Sequence, residues 1–425
     1  MTVTLFTVFF FLLVIGAPIV FAIGAGTALS LMIGGIPLAI LPQKVFSGLA
    51  HFPYLAVPLF VLAGMLMETG GISKRIVDLS NAMVGHIRGG MGMVVMVATI
   101  FFSDISGSSA ADTAAIGSVM IPPMKKRGYN PSFAAALVTS AGGMGVLIPP
   151  CLTMVVFGSL TNTSVGALFL AGFVPGIGMG LLLMLLTYMI ARKKKFPREK
   201  RATFKELLIA VKRSFLSLFM GVIILGGIIL GIFTATEAAA VAVMYGFFLS
   251  VIFYREIKLS QIPEILWKSA VISGVVMLVV GISYAFGWVI AKEQIPMKLA
   301  NFMINIPGGK LAFLLAVNVL LLVMGMFFDA SLSVVILVPI LFPVAVKLGI
   351  HPVHFGTVVV MNLGIGFTTP PFGLSLFIAS SIAKVPISSV IKPIAPYILT
   401  MIAFLLVVTY VPWFSMILPK MFMGY

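Results

Sequence analysis

Three aspartates are stranded in apolar sequence far from other charges: Asp104 and Asp112 in FFSDISGSSAADTAAIGSVMIPP, residues 101–123, and Asp329 in MGMFFDASLSVVILVPILFP, residues 324–343. A carboxylate near the centre of a bilayer costs at least about 2.5 kcal/mol, so each needs an ion, a donor-bearing ligand or a helix start to satisfy it. Around them lie hydroxyls and backbone carbonyls, which suit a hard monovalent cation such as Na⁺. The spacing nominates Ser103 and Ser106 with the carbonyls of Gly143, Val146 and Pro149 as one sodium set, and Gly325, Gly366, Thr369 and Phe372 as the other. A helix that begins at mid-depth presents unpaired N–H groups and a positive dipole end, which suit a substrate carboxylate. This nominates Asp104, Ser108 and Ser109 at one tip, and Asp329 and Ser331 at the other, as the substrate set. The acidic residues also have structural readings. Asp112 stands at the spacing of a capping box with Ser109, Asp329 is placed to cap the arm that follows it, and Glu237 closes a capping box with Thr234.

The elements that position these groups follow from composition. The chain has 425 residues, is 61% hydrophobic and 9% charged, and has a mean hydropathy of +1.21. That excludes a soluble globular domain and implies an all-α polytopic membrane protein. The formal charge of +16 reflects topology and contact with lipid headgroups, with no nucleic acid partner, because the basic residues sit between apolar spans. A single cysteine, Cys151, excludes an internal disulfide. The four histidines, His51, His86, His351 and His354, fall at expected loop or surface positions without metal-ligand spacing, and no metal other than sodium is anticipated. The N-terminus lacks a positively charged start and reads as a retained first span.

The plan is about ten transmembrane helices plus two re-entrant helical hairpins. Residues 1–190 form the first repeat, with spans at about 3–22, 24–42 and 54–69, a hairpin at 89–123, a broken helix at 131–160 and a span at about 166–190. The hairpin arms, 89–102 and 109–123, reach only about 21 Å, and both outer ends are basic, so the segment enters and returns. Residues 191–213, with ten Lys and Arg, form a cytoplasmic loop. Residues 214–425 repeat the plan, with spans at about 215–232, 235–253 and 269–290, a hairpin at 311–346, a broken helix at 352–380 and a last span at 394–416. A shift of 221 residues superposes Pro122 on Pro343, Gly143 on Gly364, Gly145 on Gly366, and Pro149, Pro150 on Pro370, Pro371. With the basic loop inside, only Lys44, Lys292, Lys298, Lys310, Lys347 and Lys420 of the 27 basic residues lie outside, and both termini are periplasmic. The halves are then inverted repeats, which places the site at the midplane between them.

The ordered motifs ISGSSAADTAAIGSVMIPPMKKRGY, LIPP, TTPP, GIFTATEAAA and AGMLMETGGISKRI resemble the large membrane (M) subunit of tripartite ATP-independent periplasmic (TRAP) transporters over nearly the whole chain. Asp104 resembles the sialic-acid and sugar-acid branch of that family, whereas Ala235 departs from its usual proline. The resemblance implies no enzymatic activity. It implies sodium-coupled uptake of an organic anion, first sialic acid and then a C4-dicarboxylate or other sugar acid, by an elevator mechanism in a bacterial inner membrane. It also implies a small four-helix membrane subunit (Q type) and a periplasmic binding protein (P type) as partners. A stand-alone divalent-anion symporter and an intramembrane aspartyl hydrolase using Asp104 and Asp329 are the competing readings.

Overall fold

The computed structural model describes residues 1–194, 196, 201–305 and 308–425. The remainder of the basic loop, 195 and 197–200, and residues 306–307, just before the second hairpin, lie outside the described residues. Among the described residues the chain is entirely helical, with twenty α-helices, and eight helical stretches are long and apolar enough to cross a membrane. It is a multi-pass membrane protein.

The first two expected spans are cut differently. Residues 3–22 do not form one helix: α1 (Thr2–Val14) stops before Gly16, at φ +82°, and α2 (Ile19–Ile33) starts after Pro18. Proline removes a donor and disfavours helical backbone at Ala17, so the two helices fold back on one another. Their 13 and 15 residues give about 20 and 22 Å, short of the roughly 30 Å apolar core. Next come a short α3 (Ile40–Leu49) and α4 (Ala56–Thr69), where the second half has one long helix. The surface helix α5 (Ile72–Val84) leads to the first hairpin, α6 (Gly90–Ser106) and α7 (Ser109–Lys126), which turns at Gly107 in the left-handed region. Its arms are longer than the expected 89–102 and 109–123, because the polar run at 103–106 stays helical; Thr99 directs its hydroxyl at the Val95 carbonyl four residues back.

The broken helix is α8 (Pro131–Gly145) followed by α9 (Leu152–Thr161), and α10 (Val165–Lys193) completes this half. The second half begins with α11 (Phe204–Ile229) and α12 (Ala235–Phe247), the latter continued by a π-helical turn at Phe248–Phe253. The capping box at the start of α12 is present: Thr234 N donates to Glu237 Oε2 at 2.8 Å and Glu237 N to Thr234 Oγ1 at 3.3 Å. After the long α13 (Ile262–Lys292) come α14 (Ile295–Ile304), the hairpin α15 (Gly309–Phe327) and α16 (Ala330–Lys347), the broken pair α17 (Pro352–Gly366) and α18 (Leu374–Ala383), then α19 (Ile387–Tyr410) and α20 (Trp413–Met423). Length and composition alone would let α15 and α16 cross. Their outer ends nevertheless meet, with Lys310 Nζ 3.3 Å from the Gly349 carbonyl.

The 221-residue shift lays α7 on α16 and α8 on α17 end to end. Both proline pairs, Pro149-Pro150 and Pro370-Pro371, are cis, and beyond them the second half carries one additional residue, so α18 starts at Leu374. The halves interlock: α9 packs on α16, and α18 packs on α7 and α8. Where α8 crosses α17, a Cβ on Gly364 would lie 2.6 Å from the Gly143 carbonyl oxygen, and one on Gly143 would lie 2.8 Å from the Gly364 carbonyl oxygen. Two equivalent residues facing each other reciprocally mark a local two-fold axis.

A strap joins the first half to the second beside the first hairpin. Arg75 of α5 reaches Glu256 at 3.0 Å, lies 3.8 Å over the Tyr254 ring, and its carbonyl accepts from Ser214 Oγ at 2.9 Å. Glu256 is about half exposed, so the ion pair contributes little and the stacked ring a similar amount. Arg75→Ala should lower stability by about 1 kcal/mol, and a double-mutant cycle with Glu256→Ala isolates the ion pair; a coupling of zero removes that pair from the strap. One expectation is corrected here. His354 is not at a surface position: it is buried in α17, with Nδ1 2.7 Å from Ser415 Oγ and Nε2 3.1 Å from the Thr409 carbonyl. His354 lies in the first turn of the helix that Pro352 opens, and that turn faces α19 and α20.

Candidate functional site

The first hairpin brings its polar residues to one point. Ser108, not Ser109, occupies the cap position of α7, so Asp112 lies one turn inside the helix and makes no capping box. Its carboxylate instead receives two hydroxyls from α6. Ser103 Oγ lies 2.5 Å from Asp112 Oδ2, and Ser106 Oγ donates to Oδ1. Ser103 and Ser106 are three residues apart and therefore share a helix face. Asp112 and Ser103 are fully buried. The end of α8 closes the cluster, since a Cβ on Gly145 would fall 2.2 Å from Asp112 Oδ2 and 2.3 Å from Ser103 Oγ. Only glycine admits the backbone of the broken helix this close. The result is a carboxylate, two hydroxyls and helix-terminal backbone: an oxygen-only donor set beside the α8–α9 break. The tip itself touches that break, where Leu152 N lies 3.4 Å from the Gly107 carbonyl and a Cβ on Gly107 would meet the Pro150 carbonyl at 2.6 Å.

The remaining nominated residues separate into groups. Gly143 faces the α17 crossing, away from Ser103, and Val146 and Pro149 lie buried in the break. In the second half Gly325 and Gly366 make direct backbone contact, a Cβ on Gly366 falling 2.7 Å from Gly325 Cα. Thr369 Oγ1 donates to the Ile365 carbonyl at 2.8 Å, and the exposed Phe372 ring stands 5.0 Å from that of Phe327. Under the 221-residue shift Ser103, Ser106 and Asp112 correspond to Met324, Phe327 and Ser333, and the buried Ser333 hydroxyl has no hydrogen-bond partner. The second half therefore offers no counterpart of the Asp112 carboxylate.

The nominated substrate set is dispersed as well. Ser109 Oγ lies 2.9 Å from Ser375 Oγ and ties the first hairpin to α18. Asp329 caps α16, its Oδ1 accepting from Ser331 N at 2.9 Å. Asp104 follows Ser103 by one residue, about 100° round the helix, and so faces away from the cluster. Its carboxylate rests on Gly221 of α11, where a Cβ would lie 1.6 Å from Oδ2.

Ser106, Gly107 and Ser108 line a cavity of about 110 Å³ with Pro150 of the break, Gly64 and Glu68 of α4, and Ile272 of α13. Glu68 was not nominated by the sequence reading, although a lone acid at the end of the apolar run 54–69 was the available signal. Its place opposite the tip depends on how α4 packs on α6, which local spacing does not encode.

Residues 6–414 match the family model described as "Tripartite ATP-independent periplasmic transporter, DctM component". The C4-dicarboxylate TRAP transporter large permease protein DctM of Pseudomonas aeruginosa is 42% identical over 377 residues, 89% of this chain and 88% of that protein. The sialic acid TRAP transporter large permease protein SiaM of Vibrio cholerae is 39% identical over 383 residues, 90% of each. Among solved structures, that of the Alcanivorax borkumensis YdaH transporter aligns with a TM-score of 0.64 at 16% identity over 88% of each chain, a likeness of fold alone. The match over nearly the full length, with the interlocked hairpins and broken helices, makes this chain a member of the DctM-component family of tripartite ATP-independent periplasmic transporters.

Proposed function

We propose that the chain couples Na⁺ entry to the uptake of an organic carboxylate across a bacterial inner membrane, with the 191–213 loop cytoplasmic and both termini periplasmic. A periplasmic binding protein delivers the substrate, and a small membrane subunit of about four helices completes the complex. The observation that carries this reading is the buried Asp112 carboxylate held by Ser103 and Ser106 against the α8–α9 break. Hydroxyls and a carboxylate without sulfur or imidazole suit a hard monovalent cation. The Glu68 carboxylate and the hydroxyls of Ser106 and Ser108 in the adjoining cavity favour the donor-rich flank of a hydroxylated acid, such as a sialic or other sugar acid, over a plain C4-dicarboxylate.

Alternating access then proceeds as an elevator. The interlocked body α6–α9 with α15–α18 moves against α4 and α11–α13, which carries the cluster and its cargo as a unit. Uptake in proteoliposomes reconstituted with the partner subunits should collapse to background when the Na⁺ gradient is removed. Uptake that continues unchanged without it would sink the sodium reading.

A further inference from the structure

A second cavity, of about 360 Å³, lies between α3 and α13 on one side and α9 and α16 on the other. Its polar wall is Lys44 and Ser47 of α3, Ser283 and Tyr284 of α13, and Thr161 at the end of α9. Trp288 supplies an apolar flank. Lys44 Nζ stands 5.7 Å from the Trp288 ring centre, and Lys292 Nζ lies 5.4 Å from the same ring. Lys44 makes no ion pair among the described residues. Ser283 borders the cavity but is fully buried. Tyr284 is held rigidly, because α3 approaches so closely at Gly48 that a Cβ there would lie 2.5 Å from the tyrosine ring. No acidic side chain lines this cavity, whereas the cavity at the first hairpin tip has Glu68 and no cation.

We propose that this cavity is a docking site for the carboxylate of the arriving substrate, with Lys44 as its charge partner and the Trp288 ring against its carbon skeleton. The proposal rests on the uptake reading above for its purpose. With the 191–213 loop inside, the cavity opens to the periplasm, where a cation concentrates anions before they reach the Asp112 cluster. It also straddles the boundary between the body assigned to move and the frame assigned to stay, so its occupant is positioned to be taken up when α9 and α16 shift.

An anionic lipid phosphate offers the same oxyanion chemistry, and the test separates the two. The complex is placed in phosphatidylcholine nanodiscs with Trp267 and Trp413 of this chain replaced by Phe, so that Trp288 reports from the cavity. Gluconate should change its emission saturably, whereas sorbitol, the same polyol without the carboxylate, should not. Lys44→Gln should weaken gluconate binding about tenfold or more, and Lys44→Arg should retain most of the affinity. Equal responses to gluconate and sorbitol, or unchanged affinity in Lys44→Gln, overturn the proposal. A response that needs phosphatidylglycerol in the nanodisc and that gluconate does not displace assigns the cavity to lipid and overturns it equally. None of these readouts requires transport, so a failure of sodium coupling leaves the result interpretable.

Discussion

Asp112→Asn should reduce sodium-driven uptake by about a hundredfold or more while leaving the chain folded. The carboxylate accepts from Ser103 and Ser106 and is fully buried. Asparagine keeps the shape but offers one acceptor oxygen and one amide donor, so one serine must rotate to accept. Hydrogen bonds to a charged group are each worth about 1.5–3 kcal/mol, and the proposed Na⁺ would lose its formal counter-charge as well. Every 1.4 kcal/mol is a factor of ten in affinity, which places the combined loss at about two decades or beyond. Ser103→Ala and Ser106→Ala each remove a single neutral ligand and should shift the half-saturating Na⁺ concentration about tenfold, with the maximal rate largely recovered at high Na⁺. The decisive measurement is the Na⁺ dependence of uptake set beside a melting curve. If Asp112→Asn keeps wild-type Na⁺ affinity, the cluster is a structural knot and the coupling ion binds elsewhere. If the variant melts far below the parent, the loss of uptake says nothing about ions.

How far this site was legible in the sequence depends on which contacts are local. The two hairpin tips could be read from residues 101–123 and 324–343, because two apolar arms around a Gly- and Ser-containing turn, with basic residues at the outer ends of the first, admit few arrangements at membrane depth. The repeat could be read because chemically distinctive residues, glycines and paired prolines, recur at one fixed offset. The choice between Asp104 and Asp112 could not. It is set by the rotation of α6, which stays helical to Ser106 and so turns Ser103 and Ser106 toward α7 while Asp104 meets Gly221. The three-residue spacing of those serines was the signal, and it carries weight only once the helix is known to continue through them. Glu68 enters the cavity through packing across about forty residues of sequence. The break at Gly16 and Pro18 was legible in principle, since proline stops a helix at the preceding residue, but the hydropathy of residues 3–22 pointed to one continuous span.

Gly364→Ala should be strongly damaging, because it forces apart the crossing of the two halves. The new Cβ would stand 2.6 Å from the backbone carbonyl oxygen of Gly143, and backbone in the last turn of two buried helices cannot swing aside as a side chain can. Either α8 and α17 separate or one of them bends, and overpacking of this kind costs about 1–3 kcal/mol. The damage also propagates. Gly145, two residues beyond Gly143, is the backbone pressed against Asp112 and Ser103, so a displacement of α8 loosens the cluster from that side. Uptake should therefore fall further than the loss of stability alone explains. Gly274→Ala provides the control, because it makes the same chemical change inside α13 with nothing within 4 Å of the added carbon. There the exchange should be neutral or stabilising by up to about 1 kcal/mol, since alanine is the better helix former. Melting curves of the two variants in detergent decide the matter. A Gly364→Ala chain as stable as Gly274→Ala would mean that the α8–α17 crossing has slack, and with it the close seat of Gly145 on Asp112 and the rigidity that the proposed elevator requires would both be lost.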